Sequence, residues 1–145
     1  MTNTVSDHTA ISVRDLDRSV AFYRDVLGGR VVEEIGLVSG SEWDTLLGLR
    51  KVRARGVMLD MNGHKVELWE YIFPKGKPHP RNRRVSDVGI THFALSVKNI
   101  EDVYTRLLAK GVRFYSRPQN LGKAKAAYLL DPDGITIEIL EWIND

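Results

Sequence analysis

The chain has 145 residues, 43% hydrophobic content and a formal net charge of +2, from 21 basic and 19 acidic residues. This length fits one domain or two very small ones, and the hydrophobic content is sufficient for a packed core. The balanced charge does not indicate binding to nucleic acid or to a membrane surface. Because cysteine is absent, disulfides and thiolate metal sites are excluded, and any metal must be held by nitrogen and oxygen ligands.

The amino-terminal residues 1–7 are short and polar, without the apolar run that is typical of a signal peptide. No segment has the length and apolar character that a transmembrane helix requires. We therefore expect a cytoplasmic protein.

The first half of the chain predicts a βαβββ unit. The alternating apolar pattern predicts strands at 6–13, 30–38, 52–61 and 65–72, with a helix at about 15–28. Asp15 is placed to cap the start of this helix, and Gly28-Gly29 to end it. Asn62-Gly63 predicts a hairpin turn between the last two strands.

The second half predicts the same unit again. Its strands are expected at 90–97, 113–117, 124–131 and 135–142, and its helix at about 100–110. Asn99 is the expected cap and Gly111 the expected stop, while the sequence DPDG at 131–134 predicts the hairpin turn.

The two halves also repeat in sequence. HTAISVRDLDRSV, from His8, matches HFALSVKNIEDVY, from His92, and MLDMNGHKVELWEYI, from Met58, matches LLDPDGITIEILEWI, from Leu129. The first copy is longer in its middle, around 39–49. We therefore predict an α+β protein with modules at about 5–72 and 89–143, joined by a linker at 73–88 that is rich in Pro, Gly, Lys and Arg.

Each module places one histidine and one glutamate among apolar strand residues. Because side chains alternate along a strand, His8 and His92 share a face with small Ala and Ser neighbours. Glu67 and Glu138 lie on the face opposite an apolar row, where an unpaired charge would be costly if it were buried. We expect His8, Glu67, His92 and Glu138 to meet as one divalent-metal site, for Zn, Ni, Co, Mn or Fe, with the small neighbours leaving an open cavity.

At these residues the chain resembles the vicinal oxygen chelate superfamily, the group of glyoxalases, bleomycin-resistance proteins and extradiol dioxygenases. The paired histidines, the strands VELWEY and IEILEW and the DPDG turn carry the resemblance, from about Asp7 to Trp142. It implies a single glyoxalase-like domain over 1–145, in which two tandem βαβββ modules form a curled sheet around a metal pocket. It also implies the four ligand positions named above and a homodimer.

A ligand set of two histidines and two glutamates is most similar to glyoxalase I and methylmalonyl-CoA epimerase. The resemblance therefore implies proton transfer next to a carbonyl of a small oxygenated substrate, by an isomerase, epimerase or lyase. The metal would act as a Lewis acid on the substrate oxygen, and Glu67 or Glu138 would move the proton. Glu42, in the extra segment, is a less favoured base.

Two other functions stay open at this point. One is an Fe(II) extradiol-type dioxygenase, which would use two histidines and one glutamate and would need further acid–base histidines. His64 and His79 are poorly placed for that role and are expected to be exposed. The other is a non-enzymatic protein that binds a small molecule or drug and is indifferent to chelators.

Substrate contacts are predicted less specifically. Four aromatic residues are candidates to line the cavity, although core packing would also explain them: Trp43, Trp69, Tyr128 and Trp142. Basic residues at 75–84 and at Arg50, Lys51, Arg53 and Arg55 would attract an anionic substrate, or simply face solvent. We expect a small-molecule substrate and neither nucleic acid nor membrane as a partner.

Overall fold

A computed structural model describes residues 3–143. The chain divides into two compact units, the first ending at Pro78 and the second beginning at His79. Each unit combines one mainly antiparallel sheet with helices, so the predicted α+β class is confirmed. No helix among residues 3–143 is long and apolar enough to cross a membrane.

The first unit contains one four-stranded sheet. Its elements are β1 (His8–Ser12), α1 (Leu16–Ala21), a π-helical segment (Phe22–Val26), β2 (Arg30–Ser39), α2 (Ser41–Leu47), β3 (Arg53–Asp60) and β4 (Lys65–Phe73). The strand order is β1-β4-β3-β2, in which β1 runs parallel to β4 and the other neighbours are antiparallel.

The second unit repeats this arrangement with shorter outer strands. Its elements are β5 (His92–Ser96), α3 (Ile100–Ala109), β6 (Arg113–Phe114), β7 (Gln119–Asn120), β8 (Ala124–Leu130) and β9 (Thr136–Trp142). The strand order is β5-β9-β8-β6, with β5 parallel to β9 and with β7 also paired to β8. The repeated βαβββ pattern predicted from the sequence is therefore confirmed.

Three local predictions differ from the structure. The helix expected at 15–28 is α-helical only to Ala21 and continues as the π-helical segment. The extra length at 39–49 forms the short helix α2, which lies between Gly40 and Gly48, both at positive φ. The strand expected at 113–117 is reduced to two residues. Apolar periodicity alone does not reveal such breaks, because they depend on tertiary packing.

The predicted alternation of faces is present in both units. In the first, Ile11, Val66 and Leu68 are buried, whereas Ala10 and Ser12 are exposed on the other face. In the second, Ile137 and Ile139 are buried, and Ala94 and Ser96 are exposed. The apolar rows therefore form the cores, and the histidine faces carry small side chains.

Glutamates on the last strand of each unit complete the helix caps. Asp15 accepts a hydrogen bond from Arg18 N (3.0 Å) as predicted, and Glu70 Oε2 accepts another from Leu16 N (3.0 Å). The prediction that the Asn99 side chain caps α3 is wrong, since it makes no capping bond and its backbone is left-handed. Glu141 takes that role by accepting hydrogen bonds from Asn99 N (2.7 Å) and Ile100 N (3.1 Å).

The two hairpins differ by one residue in loop length. Met61 N donates to His64 O across Asn62-Gly63, whereas Asp131 N donates to Ile135 O across a loop of three residues. As a result, Met58 lies opposite Glu67 on β3, but Tyr128, rather than Leu129, lies opposite Glu138 on β8. Met58 and Leu129 match in the sequence repeat, but the residue of β8 that takes the place of Met58 in the sheet is Tyr128.

Removal of the Glu70 carboxylate should destabilise the fold. We expect Glu70→Ala to lower the free energy of unfolding by about 1–2 kcal/mol, because it removes the acceptor for Leu16 N. The same change also breaks the ion pair of Glu70 with Arg55 (2.8 Å). Urea unfolding measures the effect. Glu34→Ala, at an exposed position of the same sheet, is the control, and an equal loss in both variants would contradict the assignment.

The cap at α3 should be sensitive to acid. Hydrogen bonds from Ile100 N, and next from Asn99 N, lower the pKa of Glu141 below its ordinary value of 4.5. The ionised carboxylate therefore stabilises the folded state above pH 4.5, and this contribution is lost as the pH falls through the lowered pKa. We expect Glu141→Gln to melt at a lower temperature than wild type near neutral pH, with a difference that narrows below pH 4.5.

Thermal unfolding across this pH range tests the expectation. Glu34→Gln, at an exposed strand position of the first unit, should leave the pH dependence unchanged. A difference between wild type and Glu141→Gln that stays constant down to the lowest pH would show that the charge of Glu141 does not contribute.

Candidate functional site

The first unit brings His8 and Glu67 together on its exposed face. Parallel pairing of β1 with β4 places Ala10 opposite Glu67. His8, two residues before Ala10, therefore lies on the same face of the neighbouring strand as Glu67. His8 Nε2 is 3.2 Å from Glu67 Oε2, with side-chain exposures of 35% and 14%. The imidazole is therefore reachable from solvent, while most of the carboxylate is covered.

The second unit builds the same pair. Ala94 lies opposite Glu138 in the parallel pair of β5 and β9. His92 Nε2 is 3.3 Å from Glu138 Oε2, with side-chain exposures of 27% and 15%. The equal register and nearly equal distances show that the sequence repeat preserves the local geometry of each histidine–glutamate pair.

The other ring nitrogen of each histidine also has a partner. His8 Nδ1 is 2.7 Å from Asp7 Oδ1, and His92 Nδ1 is 3.0 Å from Thr91 Oγ1. The hydrogen bond with Asp7 is the largest cause that raises the pKa of His8, and it also lowers the pKa of Asp7. Such partners orient an imidazole and leave Nε2 directed at the glutamate.

The donors of each pair fit a divalent ion. Ligands about 2.0–2.2 Å from a metal and adjacent in its coordination shell are about 2.8–3.6 Å apart, from octahedral to tetrahedral angles, which includes both observed separations. An imidazole nitrogen and a carboxylate oxygen also suit Zn, Ni, Co, Mn and Fe.

No group of three or more His, Asp and Glu side chains that could hold a metal forms within residues 3–143. What the structure contains is one two-donor pair in each unit. The single site with four ligands stays a prediction.

A tyrosine accompanies each glutamate. Burial raises the pKa of Tyr71, and the negative charge of Glu67 raises it further. Burial likewise raises the pKa of Tyr128, with a second contribution from Glu138. Both hydroxyls therefore stay protonated at neutral pH and can donate a hydrogen bond.

The two predicted tryptophans of the first unit pack against each other. Trp69 is only 8% exposed and forms a core cluster with Val52 and Ala54. Trp43, on α2, is half-buried, and its ring lies 5.6 Å from that of Trp69. Trp69 thus anchors α2 on the sheet, and the proposed substrate contact remains a prediction for both residues.

The two predicted aromatics of the second unit have different surroundings. The ring of Tyr128 lies 4.9 Å from that of His92, directly beside the pair. Trp142, at the end of β9, is 61% exposed. Tyr128 is therefore a predicted substrate residue that lies in ring contact with the histidine of its own unit's pair.

Other predicted residues lie outside the pairs. Glu42 is exposed in the first turn of α2 and accepts a hydrogen bond from Ser41 Oγ (3.1 Å). His64 and His79 are half-buried, so the expectation that they are exposed is wrong. Arg55 forms ion pairs with Glu70 (2.8 Å) and Asp17 (2.9 Å), so two carboxylates of the same unit compensate its positive charge.

Sequence reasoning missed the residues that support the histidines. Asp7 and Thr91 each directly precede a candidate ligand at matching positions of the repeat. Their matching position in the repeat is a sequence signal from which both residues could have been predicted. Alternation along β4 already predicts that Tyr71 shares a face with Glu67, but Tyr71 is not among the predicted site residues, since aromatic residues at such positions usually serve as core.

Relatives of this chain include enzymes of two kinds. It is 27% identical over 146 residues to the lactoylglutathione lyase of Schizosaccharomyces pombe, a match that covers 92% of this chain and 46% of that protein. The chain thus spans about half the length of that relative. It is 29% identical over 147 residues to the 2-epi-5-epi-valiolone epimerase of an Actinomyces species, covering 92% of this chain and 76% of the relative.

Solved structures share the fold. A glyoxalase family protein from Bacillus cereus superposes with a TM-score of 0.86 at 21% identity, over 99% of both chains. The fosfomycin resistance protein FosX of Listeria monocytogenes, solved with Mn(II) and a sulfate ion, gives a TM-score of 0.63 at 16% identity, over 99% of this chain and 95% of that one. At these identities the likeness concerns the fold alone.

The family comparison also spans most of the chain. Residues 5–139 match the Glyoxalase/Bleomycin resistance protein/Dioxygenase superfamily, which includes both modules and all four histidine and glutamate positions. The chain therefore belongs to the glyoxalase, bleomycin-resistance and dioxygenase superfamily.

Proposed function

We propose that this chain is a divalent-metal-dependent enzyme that transfers a proton next to a carbonyl group of a small oxygenated substrate. His8, Glu67, His92 and Glu138 supply the metal ligands. The observation that carries the proposal is the histidine–glutamate pair built twice, with Nε2–Oε2 separations of 3.2 and 3.3 Å. Each pair sets a solvent-reachable imidazole beside a mostly covered carboxylate, unlike the repeated Glu70 and Glu141, whose carboxylates bind helix N-termini.

The chemistry of the donors supports this class of reaction. When bound, a divalent ion acts as a Lewis acid on a carbonyl or hydroxyl oxygen of the substrate. The carboxylate of Glu67 or Glu138, once it is released from the ion, would accept the proton from the neighbouring carbon and return it at the product position. Because each carboxylate is mostly covered, little water competes with the substrate for it.

The neighbouring groups have supporting roles. The Tyr128 hydroxyl, which stays protonated beside Glu138, donates a hydrogen bond to a substrate oxygen. The side chains next to each histidine on β1 and β5 are small, which leaves room for the substrate. They are Ala10, Ser12, Ala94 and Ser96. The names of the relatives, a lyase and an epimerase, agree with proton transfer at a carbon next to oxygen, at 27% and 29% identity.

Metal binding is the first test. We expect the purified protein to bind Mn²⁺ or Zn²⁺ at micromolar concentrations, and Glu67→Ala or His92→Ala to raise the Kd by at least about 100-fold, beyond what loss of a supporting residue costs. Calorimetry measures both quantities. Glu34→Ala and His79→Ala, which lie outside the pairs, are the matched controls. Failure of the wild type to bind either ion would overturn the proposal.

Proton transfer is the second test. In deuterated water the metal-loaded enzyme should exchange the hydrogen on the carbon next to the carbonyl of small 2-hydroxycarbonyl compounds, followed by NMR. Glu67→Gln or Glu138→Gln, whichever removes the base, should slow the exchange by about 10²–10⁴-fold, because an amide cannot accept the proton. Chelation should abolish it.

Two outcomes would point elsewhere. Oxygen consumption with catechols by the iron-loaded protein, without exchange, would favour a ring-cleaving dioxygenase. Tight ligand binding that ignores chelators and gives no turnover would favour a non-enzymatic binding protein.

A further inference from the structure

The two histidine–glutamate pairs differ in the group that holds the second ring nitrogen. Asp7 Oδ1 lies 2.7 Å from His8 Nδ1, whereas Thr91 Oγ1 lies 3.0 Å from His92 Nδ1. Both supporting residues stand directly before their histidine, at matching positions of the repeat. The repeat therefore keeps the histidine and the glutamate in both units. The residue that contacts the histidine Nδ1 is a charged aspartate in the first unit and a neutral threonine in the second.

This exchange has a chemical consequence. Both polar neighbours of His8 are carboxylates, which only accept hydrogen bonds, and Asp7 Oδ1 lies closer to Nδ1 (2.7 Å) than Glu67 Oε2 lies to Nε2 (3.2 Å), so a neutral imidazole favours the hydrogen on Nδ1. In a neutral imidazole the lone pair is then on Nε2, the atom that faces Glu67. A hydroxyl both donates and accepts, so Thr91 does not fix the tautomer of His92.

The supports also differ in charge. With a neutral imidazole, Asp7 and Glu67 bring two negative charges to the first pair, whereas Glu138 brings one to the second. Lys65, which is paired with His8 across the strands and interacts electrostatically with Asp7, offsets part of this difference. Solvent screens both charges, since Lys65 is exposed and the Asp7 side chain is 72% exposed, so the hydrogen bond to Nδ1 is the main difference between the supports.

We propose that Asp7 is a positioning residue for His8. It makes His8 and Glu67 bind a divalent ion more tightly than His92 and Glu138 do, so that the ion binds first to the first unit. This inference rests on the proposed metal dependence. Asp7 acts by fixing the tautomer and orientation of His8 and by adding negative charge, whereas Thr91 supplies orientation alone.

Titration of the full-length protein with Co²⁺ alone, followed by its visible absorption and by calorimetry, tests the inference. Asp7→Asn should raise the Kd by about 10–100-fold, the usual cost of removing a carboxylate behind a ligating histidine. Thr91→Val should raise it less. Asp25→Asn, which removes an exposed carboxylate of the same unit, should leave it unchanged.

A second readout is independent of metal. Nitrogen NMR of the metal-free wild type in alkaline buffer should show His8 mainly as the tautomer with hydrogen on Nδ1, and Asp7→Asn should show a mixture. Because the Asp7 side chain is 72% exposed, this variant should unfold at the wild-type temperature. The measurement on the wild type keeps the test valid even for a variant that folds poorly.

The outcomes separate this inference from the proposed function. A Kd for Asp7→Asn equal to that of wild type, a loss in Thr91→Val as large as that in Asp7→Asn, or hydrogen on Nε2 of His8 in the wild type would overturn the role of Asp7 alone. A wild-type protein that binds no divalent ion at micromolar levels would overturn the proposed function together with it.

Discussion

The parallel pairing of the first strand with the last strand of each unit is the constraint on which the candidate site depends. It sets Ala10 opposite Glu67 and Ala94 opposite Glu138, and so brings each histidine to its glutamate. The pairing continues past the strand ends through Val13 N to Trp69 O (2.7 Å) and Val97 N to Leu140 O (2.8 Å). Parallel strands need a long crossover, which the helices and strands between the first and last strand of each unit supply.

The last strand of each unit uses its two faces for different purposes. Glu67 faces the histidine, and Glu70, three residues later, lies on the opposite face and caps α1. Glu138 and Glu141 repeat this division in the second unit. Between them the buried apolar residues fix the strand on the core, so both carboxylates are held by a backbone that has little freedom to shift.

Membership of a superfamily that includes lyases, epimerases and drug-resistance proteins limits what the fold says about chemistry, since function resides in the site. In this chain the site has a repeated part and an unrepeated part. Histidine and glutamate recur, whereas Asp7 is replaced by Thr91 and Met58 by Tyr128 around them. The repeated part supplies ligands, and the unrepeated part makes the two pairs chemically unequal.

The sequence by itself determined the two βαβββ units, the buried rows and the histidine–glutamate pattern, because all of these follow from local periodicity and from the repeat. Tertiary structure decided the rest. It replaced the expected Asn99 cap by Glu141, a residue 42 positions away, and it shifted Tyr128 into the place beside Glu138 through one extra hairpin residue. It also ended α1 early and folded the extra segment into α2. The α3 cap uses a residue that is distant in the chain, and α2 packs through Trp43 on Trp69, and local propensity does not encode such contacts.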